Sequence, residues 1–429
     1  MLNKIIYKLG LKKRNPSICH QLNFLKKSDK WPLSRLQKYQ LSQLQIFLTD
    51  VQKNSPYYSD LFKSLGFDPR NIKSLNDLKC IPPIDKKTLI ANKHLIQSNR
   101  RFKKLVFSET SGTTGQPLTI YRSEEWDSGT RAAMFRGYSW YGVKPWDRNG
   151  YFWGYNIEKK QAAKIQFFDS LQNRFRLFSY TDEEISRFCY KLKSAVYISG
   201  YSSMIYEVAK KINSLGLSLQ FPKLKMVKGT SEKIWPSYQK EVQKAFGLKM
   251  ISEYGSMETG IIAFECPSGN MHIAMEHVIV EELNGEAVVT NLLSNSFPII
   301  RYKLGDVINL APIDFKCPCG RSHPVIVDVL GRVGKSVEGL ENKYPSLTFY
   351  YVFKNIAFTS KFEVNYQAVQ NKKGEVLMRI EQTYSKELDS IIRKELSKYF
   401  KDDIAFTVEY DSKLHMMDGK LKDFIQNIE

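Results

Sequence analysis

The sequence predicts an α/β protein in which a large domain with a parallel-rich sheet precedes a small α+β domain. Strand-like and helix-like segments alternate between residues 195 and 252, which is typical of a mostly parallel sheet covered by helices. Past Gly331 the pattern changes to two strands around the turn "NKKGE", a helix near 385–400 and a strand near 404–409. This second pattern indicates a compact unit of about a hundred residues.

Local signals divide the chain further. Residues 1–100 have apolar residues at three- and four-residue steps, as in helices, and the pair Pro82-Pro83 ends one such segment. Ser123 is a predicted helix N-cap, and Asn284-Gly285 predicts a tight hairpin. We therefore predict a helical part (1–100) of the large domain, its core (101–332) and a small domain (333–429), with the boundary at "GRVGK".

Composition limits the class of protein. The 429 residues are 42% hydrophobic, which argues against a disordered chain. No apolar run reaches eighteen residues and no signal peptide precedes the first helix, so we expect a cytoplasmic protein. The 64 Lys and Arg residues against 44 Asp and Glu give a net charge of +20. This charge favours anionic partners or forms a solvated surface, and no nucleic-acid-binding motif accompanies it.

The first fourteen residues form a basic amphipathic pattern. Leu2, Ile5, Ile6 and Leu9 recur at helical spacing among lysines. Such a helix could rest on an anionic membrane surface, or it could pack on its own protein.

A loop rich in hydroxyls and glycines, "TSGTTG" (110–115), lies between two strand-like segments. Its glycines let backbone N–H groups turn toward a ligand, and its hydroxyls add donors, so the loop is either an anion cradle or a plain turn. It is not a Walker A loop, because Gly112 and Gly115 are three residues apart and no Gly-Lys-Ser/Thr follows.

Four further motifs follow in order. "YGSMETG" places Tyr254 and Glu258 after a strand, and a carboxylate beside phosphates commonly holds Mg²⁺. "IRYKLGD" ends in Asp306, which suits a ribose diol. "GR" adds Arg332 at the domain boundary, and "DGK" places Lys420 in a late loop.

Taken together, these motifs resemble those of the adenylate-forming superfamily of acyl-CoA synthetases. Within it, the chain is most similar to the phenylacetate-CoA ligase-like branch, which includes adenylating proteins of capsule biosynthesis. The segments "PYYSDLFKSLGFDP" and "IKSLNDLKCIPPIDKKTL" extend the resemblance to nearly the whole chain. The resemblance implies an adenylation domain followed by a mobile C-terminal lid domain.

The resemblance also implies roles for individual residues. The loop would bind the β- and γ-phosphates of ATP through Thr110, Ser111, Gly112, Thr113, Thr114 and Gly115. Further nucleotide contacts would come from Ser231, Glu232, Tyr254, Gly255, Asp306 and Arg332. Glu258 would associate with Mg²⁺, Lys335 would lie at the hinge, and Lys420 would be the catalytic lysine that bridges the carboxylate and the α-phosphate.

The implied reaction is ATP-dependent activation of a carboxylic acid to an acyl-adenylate, with release of pyrophosphate and transfer of the acyl group, by default to CoA. An alternative acceptor is an amine or hydroxyl of a sugar in capsule or O-antigen synthesis, and a further alternative is a non-catalytic nucleotide-binding relative. The acceptor stays open because "GRVGK" and "MMDGKLKD" depart from the family pattern. The acid and the oligomeric state are not readable from the sequence.

Four cysteine and histidine residues suggest a structural metal site. Cys266 and His272 are separated by five residues, and "CPCG" supplies Cys317 and Cys319. Three thiolates and an imidazole form a complete tetrahedral zinc set, so we predict structural Zn²⁺ rather than free cysteines. His277 and His323 are alternative ligands. The aromatic stretch "YFWGYN" (151–156) is either a buried strand or part of an acyl pocket.

Overall fold

The computed structural model describes residues 2–109, 118–152, 159–177, 182–216, 219–332, 336–360, 362, 364–417 and 420–428. It confirms the predicted α/β class, because helices cover a large mixed sheet.

The helices occur both before the sheet and between its strands. In chain order they are α1 (Leu2–Arg14), α2 (Ile18–Ser28), α3 (Leu33–Asn54), α4 (Pro56–Ser64), α5 (Lys86–Ala91), α6 (Lys93–Ile96), α7 (Glu124–Trp140), α8 (Lys159–Leu171), α9 (Asp182–Leu192), α10 (Ser202–Ser214), α11 (Pro236–Phe246), α12 (Leu347–Ser360) and α13 (Lys386–Phe400). Short 3₁₀ helices span Pro69–Asn71 and Leu75–Cys80.

The strands begin after the N-terminal helices. In chain order they are β1 (Leu105–Glu109), β2 (Thr119–Ser123), β3 (Asn149–Phe152), β4 (Arg174–Arg176), β5 (Tyr197–Tyr201), β6 (Met226–Thr230), β7 (Met250–Ser256), β8 (Gly260–Glu265), β9 (Met271–Ile273), β10 (Val278–Leu283), β11 (Glu286–Asn291), β12 (Ile299–Leu310), β13 (Val325–Arg332), β14 (Ser336–Glu338), β15 (Lys343–Pro345), β16 (Tyr366–Lys372), β17 (Glu375–Ile380), β18 (Ala405–Glu409), β19 (Met416–Met417), β20 (Lys420–Leu421) and β21 (Phe424–Gln426).

The large sheet has eleven strands in the order β10-β11-β12-β13-β9-β8-β7-β6-β5-β3-β4. Strands β4, β3, β5, β6 and β7 run parallel to one another. Every pair from β7 onward in the other direction is antiparallel, which includes β8, β9, β13, β12, β11 and β10. The parallel half is the part in which the sequence alternates strand and helix, because parallel neighbours need a crossover connection. The carboxyl ends of β5, β6 and β7 therefore lie at one edge of the sheet.

The N-terminal helices share a core with this sheet. Phe47 and Phe62 from the helices are buried in one cluster with Trp126 of α7 and Ile299 of β12. Residues near positions 50 and 300 thus belong to one buried cluster, so the helices of residues 1–100 and the sheet bury apolar surface together.

The C-terminal segment has its own apolar core. Strands β18, β17, β16 and β21 form a separate four-stranded sheet, and α12 and α13 pack together beside it. Phe349, Ile392 and Phe400 from the helices are buried with Met378 from the sheet. Two sheets with separate cores fit the predicted pattern of a large domain followed by a small α+β unit.

Local signals act as the sequence predicts. The Ser123 hydroxyl accepts a hydrogen bond from the N–H of Trp126 at the start of α7. Asn284 and Gly285 both have positive φ, 52° and 82°, in the hairpin between β10 and β11, as a type I′ turn requires. Gly247 ends α11 in the left-handed conformation.

A buried arginine with an unusual backbone conformation lies within β12. Arg301 has a φ of +47°, although it lies inside a strand, and it is 5% exposed. Its guanidinium forms two hydrogen bonds, of 3.0 and 3.1 Å, to the carboxylate of Glu281 on β10. It also donates to the carbonyl oxygens of Lys79 and Ile81, at 3.2 and 2.6 Å. Arg301 thus fastens the N-terminal segment to the antiparallel half of the sheet.

The C-terminal unit contacts α10 and α11 through polar side chains and one aromatic pair. The Glu381 carboxylate accepts hydrogen bonds from Tyr206, at 2.9 Å, and from Lys210 of α10. Trp235, just before α11, lies with its ring centroid 5.3 Å from that of Tyr366. Along the described part of the chain, no helix combines the length and the apolar character needed to cross a membrane.

We expect Gly137→Ala to destabilise the large domain. A Cβ at Gly137 in α7 would lie 2.4 Å from the Phe264 ring of β8, so helix and sheet would have to separate locally. Such overpacking costs about 1–3 kcal/mol. Thermal unfolding should show a lower Tm than that of the unaltered chain. Gly10→Ala in exposed α1 is the matched control, because nothing lies within 4 Å of its added Cβ. An equal Tm for Gly137→Ala would contradict this tight packing.

Candidate active site and metal-binding cluster

The loops that carry the predicted motifs follow the carboxyl ends of neighbouring strands. Gly200 of β5 pairs with Gly229 of β6, which pairs with Ser252 of β7. Ligands of open α/β sheets bind beyond such strand ends. The segments "SGYSS", "KGTSEK" and "SEYGSMETG" therefore meet at one edge of the sheet, as the sequence predicts.

The loop after β6 is fastened to the start of α10. Ser231 has a φ of +68°, which turns the chain sharply at the strand end. The carboxylate of Glu232 accepts a hydrogen bond of 2.8 Å from the N–H of Ser203, in the first turn of α10. A carboxylate is favourable there because the helix N-terminus carries partial positive charge. The structure therefore assigns the Glu232 side chain a capping contact, which holds the loop in place.

Tyr254 and Asp306, two residues of the predicted nucleotide site, are in direct contact. The Tyr254 hydroxyl donates a hydrogen bond of 2.9 Å to the Asp306 carboxylate. Three strands separate β7 from β12 in the sheet order, which would place them about 19 Å apart in a flat sheet. Two side chains cannot span that distance. The strands must therefore curve toward each other, and this curvature brings the two motifs together.

Arg332 is placed beside Asp306 by strand pairing. The two residues are partners in the antiparallel register of β12 and β13. Side chains of such partners lie on the same face of a sheet, at neighbouring positions. The side chain of Arg332 lies outside the description. The placement of Arg332 beside Asp306 therefore rests on the register of the two strands.

Glu258 lies in the turn between β7 and β8 and is 6% exposed. The Tyr302 hydroxyl donates to its carboxylate at 3.4 Å, and the Asn291 amide donates to its backbone carbonyl at 3.3 Å. In the same turn the hydroxyls of Ser256 and Thr259 are 3.0 Å apart. These contacts hold the carboxylate at the edge where the predicted nucleotide residues meet.

Gly255 is required by the close approach of β7 and β8. A Cβ at this position would lie 2.2 Å from the carbonyl oxygen of Gly260 on the opposite strand. No side chain can be accommodated at that distance without moving the backbone. The glycine of the "YGSMETG" motif therefore allows the hairpin that carries Tyr254 and Glu258.

The four predicted metal ligands lie together. One ligand atom from each of Cys266, His272, Cys317 and Cys319 falls within 4.8 Å of all the others. The sulfurs of Cys266 and Cys317 are 3.7 Å apart, and His272 Nε2 is 3.1 Å from the Cys319 sulfur. A tetrahedron with zinc–sulfur bonds of about 2.3 Å has edges of about 3.8 Å. The cluster thus has a size and donor set that could hold a zinc ion.

Hydrogen bonds outside the cluster orient its histidine. His272 Nδ1 donates to the His323 carbonyl at 2.9 Å, which leaves Nε2 to face the cysteines. Burial lowers the pKa of the His272 imidazole to about 4, so it is neutral at pH 7, as a metal ligand must be. Burial raises the pKa of the Cys319 thiol, but hydrogen bonds from Arg321 and from Cys317 and Cys266 lower it below its ordinary value.

The alternative ligands His277 and His323 lie outside this cluster of four. His323 takes part in a buried ionic network instead. The Glu276 carboxylate is 2.8 Å from the Arg136 guanidinium and 3.0 Å from His323 Nε2, and it also accepts from Ser28. Burial alone would raise the pKa of Glu276, but Arg136 and His323 lower it well below its usual range. This network supports the segment whose carbonyl holds His272.

Comparisons with known proteins find two sequence relatives and solved structures of the same fold. The chain is 22% identical over 409 residues to Protein CapK of Staphylococcus aureus, a match that covers 89% of this chain and 87% of CapK. It is 24% identical over 336 residues to phenylacetate-coenzyme A ligase of Thermus thermophilus, covering 73% and 74%. Its fold superposes on 2-hydroxyisobutyryl-CoA ligase, in the postadenylation state in complex with R3-HIB-AMP, with a TM-score of 0.71. That structure is 15% identical, and the match covers 94% of this chain and 91% of the ligase.

These similarities are consistent with the adenylate-forming superfamily and its phenylacetate-CoA ligase-like branch. The resemblance found in the sequence motifs is thereby confirmed. No family model matches the sequence.

Several residues to which the resemblance assigns roles lie outside the described part of the chain. They are Lys335 and the phosphate-loop residues Thr110, Ser111, Gly112, Thr113, Thr114 and Gly115. The strands that flank the loop, β1 and β2, pair antiparallel, so the loop joins two arms of a hairpin. Lys420 is described as a residue of β20, which pairs with β19, and its side chain is not described. Of the stretch "YFWGYN", Tyr151 and Phe152 belong to β3, and the rest is outside the description.

The structure also reveals polar residues that the motifs did not indicate. Lys228 of β6 and Glu253 of β7 form a buried ion pair of 2.7 Å, and Thr230 donates to the same carboxylate at 3.2 Å. Tyr302, which contacts Glu258, lies within "IRYKLGD" but had no predicted role. The position of Lys228 within the apolar segment "KMVKGT" indicates a buried charge that needs a partner. One sequence does not identify that partner.

We expect Glu276→Gln to destabilise the protein strongly. The change leaves the Arg136 guanidinium, 3% exposed, without the carboxylate 2.8 Å away, although Asp29 remains at 3.6 Å. Breaking a buried ion pair in this way costs about 3–5 kcal/mol.

Thermal or denaturant unfolding measures the effect. The control is Glu375→Gln, which breaks an exposed ion pair with Lys372 and should cost about 0–1 kcal/mol. Equal stability of the two variants would contradict the supporting role of the Glu276 network.

Proposed function

We propose that the chain is an ATP-dependent ligase that activates a carboxylic acid as an acyl-adenylate and then transfers the acyl group to CoA. The observation that carries this proposal is the hydrogen bond between Tyr254 and Asp306. These residues are 52 positions apart in the chain, and the resemblance assigns both of them to the nucleotide site. The named relatives phenylacetate-CoA ligase and 2-hydroxyisobutyryl-CoA ligase support the same reaction class.

The proposed nucleotide site follows the edge of the sheet. Asp306 would bind the ribose hydroxyls, with Arg332 opposite it in the strand register and Tyr254 orienting its carboxylate. Ser231 and Glu232, held by the start of α10, would line the adenine. The phosphates would extend toward the loop at Thr110 to Gly115.

In the first step a carboxylate oxygen of the acid attacks the α-phosphorus of ATP. The bond from the α-phosphorus to the bridging oxygen breaks, and pyrophosphate leaves with that electron pair. Because two anions must meet, the Lys420 ammonium would neutralise charge on the carboxylate and the α-phosphate. Glu258 would hold a Mg²⁺ ion, which would offset the charge of the phosphates.

In the second step the CoA sulfur attacks the acyl carbonyl carbon of the adenylate. The thiol loses its proton, the mixed anhydride bond breaks, and AMP leaves. We propose CoA as the acceptor because two of the relatives are named as CoA ligases. An amine or a sugar hydroxyl could attack the same carbonyl, so the acceptor needs its own measurement.

We further propose that residues 1–100 and 101–332 form one adenylation domain and residues 333–429 a lid. The shared core of the first two segments and the separate core of the third support this division. A lid that closes on the adenylation domain would deliver Lys420 to the site and exclude water.

For the cluster of Cys266, His272, Cys317 and Cys319 we propose a structural zinc ion. Four protein ligands leave no open coordination position, which is typical of structural rather than catalytic zinc. The ion would join the end of β8 and strand β9 to the loop between β12 and β13. Such sites contribute on the order of 10 kcal/mol to folding.

We predict ATP–pyrophosphate exchange that depends on one class of acid, measured with pooled aryl, fatty, hydroxy and amino acids. Lys420→Ala should reduce exchange by about a hundredfold or more, because one charge-stabilising group is lost from the transition state. Lys422→Ala, two residues along the same segment, is the matched control and should retain exchange. Adding CoA or candidate amines and sugars to the active pool identifies the acceptor by release of AMP.

Two results would contradict parts of this proposal. Exchange that survives in Lys420→Ala keeps the reaction but removes the role of the lysine. Absence of exchange with every pool, in protein that binds ATP, would favour the non-catalytic nucleotide-binding alternative.

Metal analysis of the purified chain should find one zinc ion per molecule and its loss in Cys317→Ser. Cys317 is buried within the cluster, whereas the exposed Cys19 lies outside it, so Cys19→Ser serves as the control that retains the metal. A chelator should lower the Tm of the unaltered chain more than that of Cys317→Ser. Stoichiometric zinc in Cys317→Ser would rule out the assignment.

A further inference from the structure

A basic cavity of about 440 Å³ lies at the edge of the large sheet, beside β4. Arg148, Arg174, Arg176 and Lys191 line it, and Asp169 is the acidic residue among its described lining. Arg148 directly precedes β3, so the cavity lies toward the amino end of the strand. The proposed nucleotide site is at the carboxyl ends of the strands. The cavity is therefore separate from that site.

The cavity keeps a net positive charge after its internal ion pairs are counted. Asp169 pairs with Arg176 at 2.9 Å and lies 3.6 Å from Arg174. Arg148 donates to a neutral partner, the Ser194 hydroxyl, at 2.8 Å. One carboxylate thus faces four cationic side chains, an arrangement that favours an anionic ligand.

Aromatic rings hold the arginines in position. The Arg174 and Arg176 guanidinium carbons lie 4.3 and 4.9 Å from the centre of the Tyr151 ring. The Arg148 guanidinium lies 5.0 Å from the centre of the Phe175 ring. Guanidinium groups stacked in this way are well suited to phosphate, because their orientation is set before the ligand binds.

The helices beside the cavity expose large apolar side chains. Asn3 of α1 and Ser170 of α8 both line the cavity and contact each other at 3.4 Å. On α1, Ile5 and Leu9 are 50% and 64% exposed, one helical turn apart. On α8, Phe167 and Phe168 are 61% and 50% exposed.

The opposite face of α1 is anchored to the protein. Tyr7 lies beside Trp146, with ring centroids 6.4 Å apart. The ammonium groups of Lys4 and Lys8 lie 5.8 and 5.2 Å from the centre of the same Trp146 ring. The helix contains no acidic residue and ends in Lys12-Lys13-Arg14. It therefore packs on its own protein, which is one of the two alternatives raised by the sequence, and presents apolar side chains on its other face.

We propose that α1, α8 and the basic cavity form a docking surface for an anionic phospholipid bilayer. Lipid phosphates would bind between Arg148, Arg174 and Lys191, while the exposed apolar side chains enter the interfacial layer. A bilayer surface presents anionic groups and apolar material side by side, as this face requires. A second copy of the chain does not fit, because two such faces would bring like charges together. A free phosphate would leave the apolar side chains unused.

Cosedimentation of the full chain with vesicles tests this docking surface. We expect binding to phosphatidylcholine vesicles that contain about a third phosphatidylglycerol, little binding to pure phosphatidylcholine, and weaker binding as salt is raised. Ile5→Ser combined with Leu9→Ser should weaken binding about tenfold, because two aliphatic side chains no longer leave water. Arg148→Gln combined with Lys191→Gln should weaken binding to the anionic vesicles.

A matched control distinguishes binding through this surface from nonspecific hydrophobic binding elsewhere on the protein. Ile46→Ser combined with Leu95→Ser removes two aliphatic side chains of similar exposure, 60% and 52%, from other helices, and it should bind vesicles as the unaltered chain does. ATP–pyrophosphate exchange in solution and the Tm should be unchanged in the Ile5 and Leu9 variant, which shows that the fold persists.

Three results would overturn the proposal. They are equal binding to both kinds of vesicle, full binding by the Ile5 and Leu9 variant, and a cavity that binds glycerol phosphate but whose Arg148 and Lys191 variant still binds vesicles fully, which would make it a site for free phosphate.

Discussion

The placement of β12 depends on the buried guanidinium of Arg301. A residue with positive φ inside a strand is strained, and here the strain is offset by a bidentate ion pair with Glu281 and two hydrogen bonds to backbone carbonyls. The same strand carries Tyr302, which contacts Glu258, and Asp306, which contacts Tyr254. The N-terminal segment pairs with β12 at this point through Ile84 and Tyr302. One side chain thus joins the helical segment to the strand on which the candidate site is built.

The sequence predicted those parts of the fold that depend on neighbours in the chain. The cap at Ser123 and the turn at Asn284-Gly285 act through their own backbone, so short patterns suffice to identify them. Arg301 could not be predicted in the same way, because its conformation is set by Glu281 and by carbonyls more than two hundred residues away. The Glu276 network was missed for the same reason.

The candidate site shows the same division. Motifs indicated Tyr254, Asp306 and the four candidate metal ligands, because chemistry restricts which residue types can serve in such sites. The buried ion pair of Lys228 and Glu253 was not predicted, because its formation depends on the register of β6 and β7. The curvature that brings β7 to β12 is likewise a property of the whole sheet, and no single segment encodes it.

The contact between the C-terminal unit and α10 is partly polar, and this determines how much free energy its separation would cost. Its polar part includes the Glu381 carboxylate, which accepts from Tyr206 and Lys210, and the Asn365 amide, which donates to the Tyr206 hydroxyl at 3.0 Å. When such groups separate, water can satisfy each of them, so parting costs far less than exposing an equal area of apolar surface. Trp235 and Tyr366, whose rings meet edge to face, add an aromatic part to the contact. The polar composition of this contact is therefore compatible with the proposed lid, because a polar contact separates at less cost than an apolar one.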